Sequence, residues 1–261
     1  MDFEFFKYHG TGNDFILIDN RDHSFPVSQS IIEKLCDRRF GIGADGLILL
    51  QEHPVEDFDM KYFNSDGNES SMCGNGGRCV VAFAAKLGLI KNQTSFHAFD
   101  GSHKASINND LIELSMSDVT DITRIDELFL LDTGSPQAVL FVNDLIHIDV
   151  YSAGKRIRYN KEISKKGVNV NFVEINSHSN IKIRTYERGV EDETWSCGTG
   201  SVASAIISYI QNDFTSLFFS IIVNVKGGQL QVSFETSDRI TFTNIKLTGQ
   251  ATLVFSGKIS L

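Results

Sequence analysis

Cys73-Gly74-Asn75-Gly76-Gly77-Arg78-Cys79-Val80-Val81-Ala82-Phe83-Ala84-Ala85 opens a segment with almost no polar face, and Cys197-Gly198-Thr199-Gly200-Ser201-Val202-Ala203-Ser204-Ala205-Ile206-Ile207 opens a second. The spacing predicts helices over Gly74–Leu87, stopped by Gly88, and over Thr199–Gln211. A helix that is apolar all round is buried all round. Each should therefore run through the middle of its own lobe with strands wrapped about it. Shifting the chain by 124 residues lays Tyr62 on Tyr186, Glu69 on Glu193, Cys73 on Cys197, Gly74 on Gly198 and Gly76 on Gly200, five identities in fifteen ungapped positions. Composition alone gives roughly one. The chain reads as a duplicated lobe.

Around these helices, short alternating or β-branched runs predict strands at Phe3–Tyr8, Phe15–Asp19, Gly46–Leu50, Phe58–Asn64, Leu111–Met116, Val139–Val142, Val170–Ile175 and Ile181–Tyr186. Further runs lie at Leu217–Val225, Leu230–Phe234, Ile240–Phe242 and Ala251–Phe255. One more helix is expected over Ser28–Arg38, with Ser28 as its N-cap. The expected class is α+β: two pseudo-symmetric lobes, each a mixed sheet around a buried central helix. The expected division is 1–118 with Cys73 and 119–247 with Cys197.

Acidic residues outnumber basic ones 33 to 24 in 261 residues, a formal charge of -9, so no global field gathers nucleic acid or anionic lipid. The local run Lys155, Arg156, Arg158, Lys161, Lys165, Lys166 reads as a solvated face or loop. The first residues, with Asp2 and Glu4 ahead of any apolar run, do not read as a signal peptide. No stretch reaches the ~18 apolar residues of a membrane span. A cytoplasmic setting is expected, and four cysteines are too few for a disulfide scaffold.

Each repeat sets a cysteine just before a helix N-terminus, followed by glycines that let a ligand approach the backbone. Such a position favours thiolate over thiol, and the first-turn N–H groups of Gly74, Asn75, Gly76 and of Gly198, Thr199, Gly200 suit a carboxylate. Two such helix starts gripping one α-carboxylate would put a thiolate on one face of the α-carbon and a thiol on the other. Proton removal from one face and return to the opposite face inverts the centre, while the gripping amides stabilise the developing anion. That chemistry requires no cofactor and no metal.

At these residues the chain resembles the diaminopimelate epimerase family, cofactor-independent enzymes that interconvert LL- and meso-2,6-diaminopimelate in bacterial lysine and peptidoglycan synthesis. The resemblance spans nearly the whole chain. It is carried by Lys7-Tyr8-His9-Gly10-Thr11-Gly12-Asn13-Asp14-Phe15, Arg39-Phe40-Gly41-Ile42-Gly43-Ala44-Asp45-Gly46, Asn64-Ser65-Asp66-Gly67 and the Cys73 block. In the second half it rests on Asn169-Val170-Asn171-Phe172-Val173, Glu187-Arg188-Gly189 and Glu193-Thr194-Trp195-Ser196-Cys197-Gly198-Thr199-Gly200. It implies Cys73 and Cys197 as the acid/base pair, with backbone at Gly74, Asn75, Gly198 and Thr199 taking the reacting carboxylate. It further implies substrate contacts at Asn13, Asn64, Asn169, Glu187 and Arg188, and a segment 248–261 that returns to the first lobe. The implied partner is a small amino acid, with a homodimer left open. Where many members carry Asn-Pro-His, this chain has Ser135-Pro136-Gln137, so Ser135 and Gln137 are candidate modifiers of specificity.

Other chemistries fit less well. Gly41-x-Gly43-x-x-Gly46 lies between a helix and a strand, the reverse of a dinucleotide fingerprint. There is no Cys-x-x-Cys, no H-E-x-x-H and no G-x-S-x-G. Glu191-Asp192-Glu193 reads as a polar loop ahead of the second cysteine. Two alternatives stay open: a related amino-acid racemase of broader specificity, for example toward glutamate, and a non-catalytic amino-acid-binding protein.

Overall fold

Burial that alternates over Asp2–Phe5 and is continuous over Phe5–Tyr8 marks strand β1 (Asp2–Gly10), and a turn with Thr11 and Gly12 both at positive φ returns the chain as β2 (Asn13–Asp19). The computed structural model describes residues 1–70, 72–212 and 214–261 and divides into two compact units, Met1–Leu114 with Gly249–Leu261, and Ser115–Thr248. In the first unit α1 (Gln29–Cys36), N-capped by Ser28 through the Ile31 N–H, carries the chain to β3 (Gly46–Gln51), parallel to β2. Strand β4 (Phe58–Asn64) returns antiparallel to β3, and the short β5 (Glu69–Ser70) folds onto it. Helix α2 (Gly74–Lys86) then crosses to β6 (Gln93–Ala98), parallel to β4, and hairpins add β7 (Gly101–Asn108) and β8 (Leu111–Ser115).

The second unit repeats this plan. Strands β9 (Ile122–Ile125), β10 (Leu128–Asp132) and β11 (Pro136–Phe141) are antiparallel neighbours, and α3 (Val150–Arg158) leads to β12 (Asn169–Ser177), parallel to β11. Strand β13 (Asn180–Glu187) pairs antiparallel with β12 and with β14 (Asp192–Thr194). Helix α4 (Gly198–Gln211) crosses to β15 (Phe218–Val225), parallel to β13, followed by antiparallel β16 (Gly228–Glu235) and β17 (Thr243–Gln250). Strand β18 (Thr252–Ser260) completes the first unit beside β1, as β9 does beside β10. Both sheets are thus mixed, and their parallel pairs fall only where a helix makes the crossover such pairs require. The α+β class and the doubled sheet-around-helix plan are as the sequence predicts.

The core helices owe their placement to composition. In α4 every residue from Gly200 to Tyr209 is buried, and Val202, Ile206 and Tyr209 pack among Phe234, Phe242, Ile245 and Leu247. Its serines survive there by bonding back to the helix: Ser201 Oγ donates to the Cys197 carbonyl at 2.8 Å and Ser208 Oγ to Ser204 at 2.7 Å. In α2, Phe83 is fully buried against the rings of Phe6 and Tyr8.

Two local expectations fail, each for an identifiable reason. Ile240–Phe242 is not a strand: Asp238 Oδ1 takes the N–H groups of Ile240 and Thr241 at 2.8 and 2.7 Å, which turns the backbone. The strand begins at Thr243 instead. The basic run is a solvated face and loop as expected: Lys155, Arg156 and Arg158 lie in the last turn of α3, where cations complement the helix dipole, and Arg158 pairs with Glu191 at 3.0 Å. Lys161, Lys165 and Lys166 are exposed in the loop that follows. Glu191-Asp192-Glu193 leads into and forms part of β14, and Glu193 is held bidentately by Arg184 at 2.8 Å through both oxygens.

Candidate active site

Cys73 and Cys197 occupy the same position in the two units. Each is the N-cap of its core helix in extended conformation, with its sulfur accepting from the third residue on: Gly76 N–H at 3.2 Å in α2 and Gly200 N–H at 3.3 Å in α4. Ser, Thr, Asp and Asn are the preferred residues at such a cap. Cysteine in both copies therefore points to what sulfur can do there. Gly200 is sterically required, because a Cβ there would lie 2.2 Å from Asn171 Oδ1, and at Gly76 a Cβ would sit in tight contact, 3.1 Å from Cys73 Sγ. Gly200→Ala should force Asn171 aside and destabilise the protein by about 1–3 kcal/mol. Urea unfolding checks this; an unchanged midpoint would refute the close approach.

The other two cysteines lie in the interior. Cys36 and Cys79 are buried, and burial pushes both thiols up, Cys36 to about 12, so both stay protonated at neutral pH.

Around α2 the polar groups form one chain. Asn75 Nδ2 donates to Asn13 Oδ1 at 3.2 Å, and Asn13 Nδ2 donates to Asp45 Oδ2 at 2.6 Å. Asn75 Oδ1 accepts from Arg78 Nη2 at 2.8 Å and from Thr11 Oγ1 at 3.2 Å. Asp45 and Asp14 are balanced by two cations: Lys7 meets Asp14 at 2.8 Å, and Arg38 meets Asp14 at 2.7 Å and Asp45 at 2.6 Å. Burial alone would raise the Asp14 carboxyl, but Arg38 and Lys7 outweigh it and hold it well below the usual carboxylate range. Asn64 ends β4 opposite Gly46, and the next N–H, of Ser65, donates to the Asp45 carbonyl at 3.1 Å.

Around α4 the network is neutral, and counting hydrogens fixes its direction. Ser135 Oγ accepts from Gln137 Nε2 at 2.8 Å and Asn169 Nδ2 at 3.2 Å, so its own hydrogen points to Thr199 Oγ1, 3.0 Å away. Thr199 Oγ1 also accepts from Gln137 Nε2 at 2.9 Å, which leaves its hydrogen for Cys197 Sγ at 3.5 Å. Gln137 is fully buried and its Oε1 accepts from Asn171 Nδ2 at 2.9 Å, while Asn171 Oδ1 accepts from Thr185 Oγ1 at 2.8 Å. Asn169 Oδ1 accepts the Arg188 N–H at 2.9 Å, and Glu187 closes β13 immediately before it.

The nominated residues therefore gather at the two helix starts, Asn13 and Asn75 at α2, and Ser135, Gln137, Asn169, Arg188 and Thr199 at α4. Asn171, Arg78 and the Asp14–Asp45 pair were not nominated. Asn171 had a signal, because it lies two residues beyond Asn169 on one face of a strand. Among the described residues no cluster of His, Cys, Asp or Glu suits a metal, and no helix is long and apolar enough to cross a membrane.

The doubled fold is shared with solved proteins. A phenazine biosynthesis protein of the PhzF family from Bacillus anthracis matches with a TM-score of 0.80 at 15% identity, covering 100% of both chains. A hydroxyproline epimerase from Agrobacterium vitis matches with a TM-score of 0.70 at 15% identity, covering 100% of this chain and 93% of that one. At such identity the likeness is one of fold. Sequence supplies the rest, and by it the chain is an enzyme of the isomerase class: the model of the diaminopimelate epimerase family matches residues 5–121 and 129–254. The diaminopimelate epimerase of Flavobacterium psychrophilum is 54% identical over 256 residues, 97% of this chain and 99% of that protein. That of Chlorobaculum tepidum is 42% identical over 261 residues, again 97% and 99%. The chain belongs to the diaminopimelate epimerase family.

Proposed function

We propose that this enzyme interconverts LL- and meso-2,6-diaminopimelate without a cofactor, with Cys73 and Cys197 as the acid/base pair. One thiolate takes the α-proton as the C–H bond breaks and leaves its electron pair delocalised into the carboxylate. The other thiol returns a proton to the opposite face, so the pair ends with its protonation reversed. The N–H groups at Gly74, Asn75, Gly198 and Thr199 stabilise the charge that develops on the carboxylate. Arg188 offers a planar fork to the distal carboxylate, Glu187 an acceptor for the ammonium, and Asn13, Asn64 and Asn169 both donors and acceptors.

The single observation that carries this reading is the matched cap, in which Cys73 Sγ and Cys197 Sγ each receive a glycine N–H at the head of a buried helix. Incubating the reduced protein with one stereoisomer in deuterated water should give α-deuterium uptake together with change of configuration. A non-catalytic binding protein would give neither. Running L-glutamate beside diaminopimelate tests the broader racemase alternative, which rests on Ser135 and Gln137; turnover confined to diaminopimelate removes it. The same reading has the enzyme act on a free amino acid in the cytoplasm, with a second copy of the chain as its one protein partner, which sedimentation would detect.

A further inference from the structure

Arg78 has no exposed surface, yet it carries a cation in the first turns of a helix whose next residues, Cys79 to Ala85, are all apolar. Its bonds go to neutral oxygens: Nη1 donates to the Gly74 carbonyl at 3.0 Å, and Nη2 donates to Asn75 Oδ1 at 2.8 Å and to Thr11 Oγ1 at 3.3 Å. Its Nε is buried with no acceptor, and among the described residues no carboxylate pairs with it. The nearby charges do not supply one. Lys7, Arg38, Asp14 and Asp45 cancel two against two. Burial pushes Cys79 up and Tyr8 to about 12, so both are neutral at pH 7. A buried charge with no partner is strongly unfavourable, and burial brings Arg78 down to about 10, still protonated at neutral pH, while charge on Cys79 and Cys73 would favour its cation.

We propose that Arg78 is a positioning residue whose uncompensated cation is the counter-charge for the anions at the head of α2, first the Cys73 thiolate and then the bound carboxylate. Through Gly74 O and Asn75 Oδ1 the guanidinium also holds the two residues whose N–H groups face that anion. The repeat makes the assignment sharper. The residue 124 positions on is Val202, buried in the core of the second unit, where the side chains bonded in the Cys197 network are the neutral Thr199, Ser135 and Gln137 and Arg188 joins it through its backbone N–H. The two cysteines are therefore electrostatically unequal, with a fully buried cation on the Cys73 side and none in the matching position beside Cys197.

The role for the substrate carboxylate rests on the epimerase reading; the role for Cys73 does not, and it is the one tested. The experiment follows iodoacetamide alkylation of each cysteine against pH by peptide mass spectrometry, in the reduced full-length protein without substrate. In the unaltered protein the Cys73 midpoint should lie below that of Cys197. Arg78→Met should raise the Cys73 midpoint by on the order of 1–2 pH units and leave that of Cys197 in place, while Arg78→Lys should restore most of the shift. Equal midpoints in the unaltered protein, a measurement that needs no variant to fold, would overturn the proposal. So would an unmoved Cys73 midpoint in a folded Arg78→Met protein. Because alkylation needs no turnover, either failure is separable from failure of deuterium uptake.

Discussion

Alanine at Cys73 or at Cys197 is expected to lower turnover of a single diaminopimelate stereoisomer by about 10²–10⁴-fold, the usual worth of a positioned acid or base, and in practice to end configurational change. The fold should survive. Losing an N-cap costs about 0.5–2 kcal/mol, and in each helix the burial of the following ten or so residues is untouched. Serine separates the two effects. Its oxygen accepts the Gly76 or Gly200 N–H at least as well as sulfur does, so the helix start is preserved, but a hydroxyl does not ionise near neutral pH and turnover should fall almost as far. Cys36→Ala gives the contrast, because that thiol is buried in the core of the first unit and held protonated. Its removal should leave turnover in place. Deuterium uptake and chiral separation of the product measure all five proteins; an alanine variant within tenfold of the unaltered enzyme would take that cysteine out of the chemistry.

The cysteine-capped helices were legible in the sequence because their signals are local. An apolar run with no polar face can only be a buried helix, glycines after a cap admit a ligand, and a shift of 124 residues repeats the pattern. Helix α3 was hidden because its buried stripe is only Val150, Gly154 and Ile157, and its key residue reads as a helix breaker. Gly154 is there so that the helix can lie against Tyr186; a Cβ would come within 2.3 Å of that side chain. No periodicity in Val150–Arg158 reports a contact made 32 residues later. The supporting polar groups were hidden for a similar reason. Gln137 looks like the loss of a titratable histidine until Asn171 Nδ2 is seen to donate to its Oε1, and Arg78 looks like a surface cation until the turn carrying Thr11 covers it.

Asp14→Asn is expected to destabilise the protein by about 3 kcal/mol at pH 7, because it strands the ammonium of Lys7, whose side chain is only 7% exposed and whose other bond is to the Gly43 carbonyl. Arg38 adds less, since its side chain is 58% exposed and solvent screens it. The effect should fade in acid, and the sign follows from the direction of the shift. The Asp14 carboxyl is depressed in the folded protein, so its stabilisation is complete above the unfolded value near 3.9 and is lost as pH falls through and below that value. Asparagine cannot titrate, so the gap between the two proteins in urea unfolding should be widest at pH 7 and clearly smaller at pH 3. A gap that does not change with pH would mean that packing, not the ion pair, sets the cost. Function should suffer along the same path. The Asp45 N–H donates to the Asp14 carbonyl at 2.9 Å and to its Oδ1 at 3.1 Å, Arg38 bridges the two carboxylates, and Asp45 in turn anchors Asn13 against Asn75 at the head of α2. With the Asp14 charge gone, Arg38 is left to Asp45 alone and pulls on the carboxylate that anchors Asn13, so the asparagines shift orientation before the helix loses its cap. KM for diaminopimelate should therefore rise more than kcat falls, the reverse of the pattern expected when a cysteine is removed.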